Sequence, residues 1–129
     1  MSNNTNRTED IREQQKKLKQ SIGEIEINRY LETNFMFIIK SKQGIIFECC
    51  AEQLIDDTYE YVIAYNTDDS DYAQNGIVFK SIKGLCERLS REDMYDDYSG
   101  EPIVSTEEKS LVVKIGKYMI NEVESTINK

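Results

Sequence analysis

Two short apolar runs stand out in the first half of the chain, at residues 35–39 and 45–47, and a polar stretch ending in Gly44 separates them. Runs this short, rich in aromatic and β-branched residues with a glycine between them, are typical of a β-hairpin. A third run extends from Tyr59 to Tyr65, where tyrosine or isoleucine stands at every second position. Because this period of two is that of a half-buried strand, the pattern predicts a three-stranded antiparallel sheet.

Apolar residues at helical spacing predict a helix ahead of the first strand, from about Thr8 to Ser21. Thr8 fits an N-cap, and the two acidic residues after it would lie near the positive end of the helix dipole. Gly23 can end this helix as a C-cap, although the pattern also allows the helix to continue, or a short strand through Ile25 and Ile27. The polar residues 1–7 are expected to form a flexible N-terminus.

Two more helices are predicted in the second half of the chain. One spans about Lys80 to Ser90, and the other begins near Ser105, which fits a capping box with Glu108. Gly116 lies inside this last helix, where a glycine costs about 1 kcal/mol and can mark close packing. The order is therefore α-β-β-β-α-α, and we expect one α+β domain over residues 8–129 in which helices cover a three-stranded antiparallel sheet.

Composition excludes several kinds of chemistry. The 129 residues contain no histidine, so the commonest general base and the commonest metal ligand are both missing. Cys49, Cys50 and Cys86 form no C-x-x-C motif and are expected to be buried thiols, with the adjacent pair directed to opposite faces of a strand. Nucleotide-binding and acyl-transfer motifs are absent too. We therefore expect no enzyme, no cofactor and no metal site.

Acidic residues are concentrated in the middle of the chain. The net charge is −8, but residues 1–47 and 109–129 each sum to +2, so residues 48–108 carry −12. Such a field repels nucleic acid and anionic membranes and attracts a basic partner. Because the sequence has neither a signal-peptide pattern nor an apolar run long enough to cross a membrane, we expect the protein to be cytoplasmic.

Six of the eight tyrosines lie between Tyr59 and Tyr98, within this acidic segment. A tyrosine among carboxylates suits arginine, which pairs with carboxylates and stacks on aromatic rings. The predicted partner-binding residues are Asp68, Asp69, Asp71, Tyr72, Glu92, Asp93, Tyr95, Asp96, Asp97 and Tyr98. Tyr59, Tyr61 and Tyr65 are expected in the core or at its rim. The 68–71 loop lacks the glycine and glutamate of a calcium-binding EF-hand, so a solvated loop is the preferred interpretation.

Two functional hypotheses account for these features. The first is a non-enzymatic acidic inhibitor, a DNA mimic that binds the basic surface of a nuclease or other nucleic-acid enzyme. Phage anti-CRISPR and anti-restriction proteins and toxin immunity proteins fit this description. The alternative is a small-molecule-binding or regulatory module in which the tyrosine-bearing strand lines a pocket. Ile11, Leu18 and Ile25 repeat every seven residues, as in a coiled-coil dimer, but the second apolar position of each heptad is taken by Gln14 and Ser21. A monomer is therefore favoured over a dimer.

Overall fold

One helix, five strands and two further helices follow one another in the part of the chain that the structure describes. The structure is a computed structural model, and the residues described are 3–66, 76–90 and 106–127. In chain order the elements are α1 (Asn3–Ile22), β1 (Gly23–Tyr30), β2 (Asn34–Ser41), β3 (Ile46–Gln53), β4 (Tyr59–Asn66), β5 (Gly76–Phe79), α2 (Ile82–Leu89) and α3 (Thr106–Ile127).

The strands form an antiparallel meander in which each strand pairs with the next one along the chain, in the order β1-β2-β3-β4-β5. Side chains alternate between the two faces of such a sheet. Along β2, Phe35, Phe37 and Ile39 are buried on one face, while Met36 and Lys40 are exposed on the other. A slip of one residue in register would exchange the two faces, so this alternation fixes the pairing.

The prediction of three strands is wrong, because the described residues form a sheet of five. The first missed strand, β1, follows α1 without a loop. Gly23 makes this possible: its φ is +142°, and a Cβ there would lie 2.1 Å from the carbonyl oxygen of Lys40. Only glycine tolerates both the conformation and the contact. The glycine that was interpreted as a helix end is therefore also the first residue of a strand.

The second missed strand, β5, is only four residues long. Phe79 stands three residues before Ile82 and six before Leu85, so it fits a helical stripe as well as it fits a strand. A run this short cannot be assigned by periodicity alone. In the structure Phe79 ends β5, and Ser81 then caps α2 by accepting a hydrogen bond from the backbone N–H of Gly84 at 3.0 Å.

Helices pack on one face of the sheet and enclose a single hydrophobic core. The largest fully buried side chains include Phe35, Phe37 and Phe47 from the sheet and Ile115 and Met119 from α3. α1 begins at Asn3, before the predicted start at Thr8. The predicted last helix is confirmed as α3, whereas Ser105, its proposed cap, lies outside the described residues. No helix among the described residues is both long and apolar enough to traverse a membrane.

Candidate functional site

Ten residues are predicted to bind a partner, and the described part of the structure contains none of them. All ten belong to the segments 67–75 and 91–105, which lie outside the described residues, as does the 68–71 loop considered for a cation. Within the described ranges, no three histidine, cysteine or acidic side chains are grouped so that they could hold a metal ion. The candidate site is built instead on the sheet, whose two faces differ in burial: one faces the core and the other is exposed.

The face of the sheet opposite the core is covered by none of the three described helices, and we call it the open face. It is recognisable from exposure: Met36 in β2 is 43% exposed and Val78 in β5 is 51% exposed, although both are large apolar residues within strands. A single exposed apolar residue is ordinary on a protein surface, whereas a contiguous set commonly marks an interaction surface.

Four side chains form a continuous line across the open face, which we call the apolar row. Met36 pairs with Cys50, Cys50 with Val62 and Val62 with Val78, so the row crosses β2 to β5 at one level of the sheet. Cys50 and Val62 in its centre are half-buried by their neighbours. With strands about 4.8 Å apart, the row is about 14 Å long.

Acidic side chains flank the apolar row on both sides, and we call these four the carboxylate rim. Glu26 and Glu48 lie on one side, both paired with Ile38, and Glu52 and Glu60 lie directly opposite each other on the other side. Like charges directly opposite across two strands are destabilising. Among the residues that the structure places within strands on this face, Lys40 is the one basic side chain, and it stands opposite Glu24.

Tyr30 adds an aromatic group to the same face. Its hydroxyl donates a hydrogen bond to the Glu52 carboxylate at 3.2 Å. Burial, followed by electrostatic interaction with Cys50 and Glu52, raises the pKa of Tyr30 to about 12, so the phenol stays neutral at physiological pH. Sequence reasoning did not single out Tyr30. The sequence feature that could have identified it is the alternation of polar and apolar residues that begins at Glu24 and corresponds to strand β1.

The cysteines take two different environments. Cys49 is 3% exposed and faces the core, where burial raises its pKa, while Cys50 faces the other way, so the predicted alternation is confirmed. The pKa of Cys50 is also raised, by burial and then by Glu52 and Glu60, so this thiol is not activated as a nucleophile. Cys86 is exposed, and its predicted burial is wrong, because α2 directs Leu85 and Leu89 inward instead.

Tyr59 and Tyr61 of β4 belong to the core, as predicted, and are 7% and 4% exposed. The side chain of Tyr65, for which the same was predicted, lies outside the described part of the structure. The Tyr59 hydroxyl donates to the carbonyl of Thr33 at 2.5 Å. Tyr59 and Tyr61 also line a cavity of about 520 Å³, together with Lys80 and Glu124. Burial, then the charge of Glu124, raises the pKa of Tyr61 to about 12. Sequence reasoning had named this strand as the wall of a pocket.

A second cavity, of about 620 Å³, lies where the three helices meet. Leu18, Ile82 and Ile120 form its apolar lining, and Lys17 and Lys117 are among its polar residues. Its charged lining residues are the two lysines, so the cavity is basic whereas the open face is acidic.

Comparison of the chain with protein-family models, curated proteins and solved structures finds no match. Function is therefore inferred from the residues and geometry of this chain alone.

Proposed function

We propose that the protein is a non-enzymatic acidic inhibitor that binds and blocks the basic, nucleic-acid-binding or catalytic surface of a nuclease or another nucleic-acid enzyme in the cytoplasm. Anti-CRISPR, anti-restriction and toxin immunity proteins are the classes it would join. The observation that supports this proposal is the charge of −12 in residues 48–108, part of which, Glu48, Glu52 and Glu60, stands on the open face of the sheet.

The physical basis is competition for phosphate-binding side chains. Duplex DNA presents one negative charge about every 1.7 Å along its axis, and lysines and arginines of the enzyme neutralise those charges. Carboxylates held on a sheet can pair with the same lysines and arginines. Because the sheet already fixes their positions, less conformational entropy is lost on binding. Opposite charge on the two proteins also accelerates their encounter.

The first test is capture of the partner. The tagged protein is used as bait in its native host's lysate, at low salt and at about 0.5 M salt, where exposed charges are screened within a few ångströms. We expect a basic nuclease or other nucleic-acid enzyme that is retained at low salt and lost at high salt, and whose activity the purified protein inhibits.

Charge reversal then tests the acidic surface. The triple variant Asp93→Lys, Asp96→Lys, Asp97→Lys should inhibit the captured enzyme at least about tenfold more weakly, because buried or central charge pairs commonly contribute more than 1 kcal/mol. The control changes the net charge equally through three exposed residues outside the acidic segment and the cavities, Asp10, Glu13 and Glu32. Equal inhibition by both variants and the wild type would show that the acidic segment is not the binding surface.

The small-molecule alternative is favoured by one observation, the cavity of about 520 Å³ beside Tyr59 and Tyr61. Its volume lies within the range of ligand pockets. Mass spectrometry of the purified protein after denaturation distinguishes the two functions. A released small molecule whose retention depends on Tyr61 would support a sequestering module, and an empty cavity together with a captured enzyme would support the inhibitor.

A further inference from the structure

We infer that the open face binds a cationic amphipathic α-helix of the partner, laid across the strands along the apolar row. This inference rests on the proposed function, since it names the part of the basic partner that is bound. It is carried by three features of the described residues: the length of the apolar row, the position of the carboxylate rim on both sides of it, and the exposure of Met36 and Val78 at its ends.

The length of the row matches a short helix. The three spacings between four strands, at about 4.8 Å each, give about 14 Å. An α-helix rises 1.5 Å per residue, so about ten residues cover this length. Over that length, apolar residues at i, i+3, i+4 and i+7 form one stripe. Such a stripe would contact Met36, Cys50, Val62 and Val78 in succession.

The carboxylate rim matches the flanks of the same helix. Glu48, Glu52 and Glu60 each lie two positions along their strand from a member of the apolar row, or about 6.7 Å to one side of it. Glu26 stands at the level of Glu48 but on β1, one strand beyond the end of the row. A helix with its side chains is about 10 Å across. Lysines or arginines next to its apolar stripe would therefore lie above Glu26 and Glu48 on one side and Glu52 and Glu60 on the other.

Binding of a cationic helix would also remove the repulsion between two carboxylates of the free protein. Glu52 and Glu60 are Cα partners on adjacent strands, whereas Lys40, the basic residue within the strands on this face, stands opposite Glu24. A cation placed between the two carboxylates converts repulsion into attraction. The same argument excludes a second copy of this chain, because two open faces in contact would bring two carboxylate rims together. Strand addition is excluded as well, since it uses the edge of a sheet and not its face.

The probe is a designed helical peptide with leucines on one stripe and lysines and arginines on both flanks, compared with a scrambled peptide of the same composition. Calorimetry measures its affinity for the full-length protein. The test variant is Met36→Ser with Val78→Ser, and the control is Leu31→Ser with Ile55→Ser, two exposed apolar residues outside the open face. All four sites are exposed, so each variant should fold.

We expect the patterned peptide to bind more tightly than the scrambled one. The Met36 and Val78 variant should lose about tenfold or more in affinity, and the control less than about twofold, because the variant removes two of the four apolar side chains that the helix would contact. The peptide should also slow alkylation of Cys50 while leaving that of the exposed Cys86 unchanged. Neutralising Glu52 and Glu60 to glutamine should weaken the salt dependence of binding.

Three results would overturn the inference. One is equal affinity for both peptides, or for the test and control variants. Another is a melting temperature several degrees lower in the Met36 and Val78 variant alone, which would mean that the chain's own residues cover the row. The third is a wild-type dimer in sedimentation that this variant dissociates, which would identify a second copy as the occupant.

The inference and the proposed function fail in different ways. If the captured enzyme is still inhibited by the Met36 and Val78 variant but not by the variant reversed at Asp93, Asp96 and Asp97, the function stands and the open face is not the site. If the patterned peptide needs the apolar row but no nucleic-acid enzyme is captured or inhibited, the helix-binding face stands and the proposed function does not.

Discussion

Gln15 shows how much of this fold depends on one side chain. It is 9% exposed and is one of two buried polar residues among those described. Its amide nitrogen donates to the carbonyl of Tyr118 and to the Glu122 carboxylate, both at 3.0 Å, and its amide oxygen accepts from Asn121 at 3.1 Å. All three partners belong to α3, so this amide fixes the position of α1 on α3.

We predict that Gln15→Leu lowers the free energy of unfolding by about 1–3 kcal/mol, because it leaves the buried carbonyl of Tyr118 and two polar side chains without their partner. Urea denaturation measures the change. Gln20→Leu is the control, since Gln20 is exposed on the same helix and should change stability by less than about 0.5 kcal/mol. Equal effects of the two substitutions would show that the amide network does not hold α1 in place.

At the residue scale, sequence patterns found the apolar positions better than the polar contacts. The alternation of Cys49 and Cys50 and the burial of Tyr59 and Tyr61 follow from the period of a strand, and the structure confirms them. The bonds of Gln15 span more than 100 residues of sequence, and Gln14, Gln15 and Gln20 look alike in the chain. A buried glutamine is defined by what packs around it, which no local pattern contains.

At the scale of elements, Gly116 determines how closely α2 approaches α3. A Cβ at Gly116 would lie 2.6 Å from Cδ2 of Leu85, and Leu85 is completely buried. The close packing predicted from a glycine inside a helix is therefore confirmed. The helix loses the intrinsic stability that alanine would provide, about 1 kcal/mol, in exchange for contact between the two helices.

We predict that Gly116→Ala destabilises the protein by about 1 kcal/mol, because overpacking of the core, at about 1–3 kcal/mol, outweighs the gain in helix propensity. In a Leu85→Ala background the obstructing methyl is gone, so the same substitution should stabilise by up to about 1 kcal/mol. A double-mutant cycle in urea measures this reversal of sign. The same effect of Gly116→Ala in both backgrounds would contradict close contact as the cause.

Strands that lack a strong apolar run were the elements that sequence could not assign. β2, β3 and β4 contain runs of aromatic and β-branched residues and were predicted, whereas β1 alternates glutamate with isoleucine and was considered only as an alternative to a helix. β5 has four residues, and Phe79 also fits the spacing of α2. These two edge strands are stabilised by pairing with β2 and β4, contacts between segments that a local pattern does not record.

At the scale of the whole molecule, the sheet separates two kinds of surface. Its inner face is apolar and covered by helices, and its open face combines the apolar row with the carboxylate rim. The sequence indicated that the middle of the chain is acidic, but it did not indicate that Glu26 from β1 and Glu48 from β3 would flank Ile38 on the same face. That arrangement depends on register, and it required β1, the strand that was missed.

The repulsion between the facing carboxylates of Glu52 and Glu60 should lower the stability of the protein, and this loss can be measured. We predict that Glu60→Lys raises the free energy of unfolding by about 0.2–1 kcal/mol at low salt, because it replaces repulsion across the two strands with an opposite-charge pair. The gain should shrink at about 0.5 M salt, where exposed charges are screened. Urea denaturation at both salt concentrations gives the comparison.

Glu87→Lys is the matched control for this experiment, because it changes the net charge by the same amount at an exposed position on α2. If both variants gain equally, the benefit comes from the lower net charge of the molecule and the pair itself contributes nothing. If Glu60→Lys gains more stability but binds the patterned peptide less well, the open face has kept a destabilising pair of carboxylates that a cationic partner needs. Stability and binding would then oppose each other at one residue, as is common where a surface serves function.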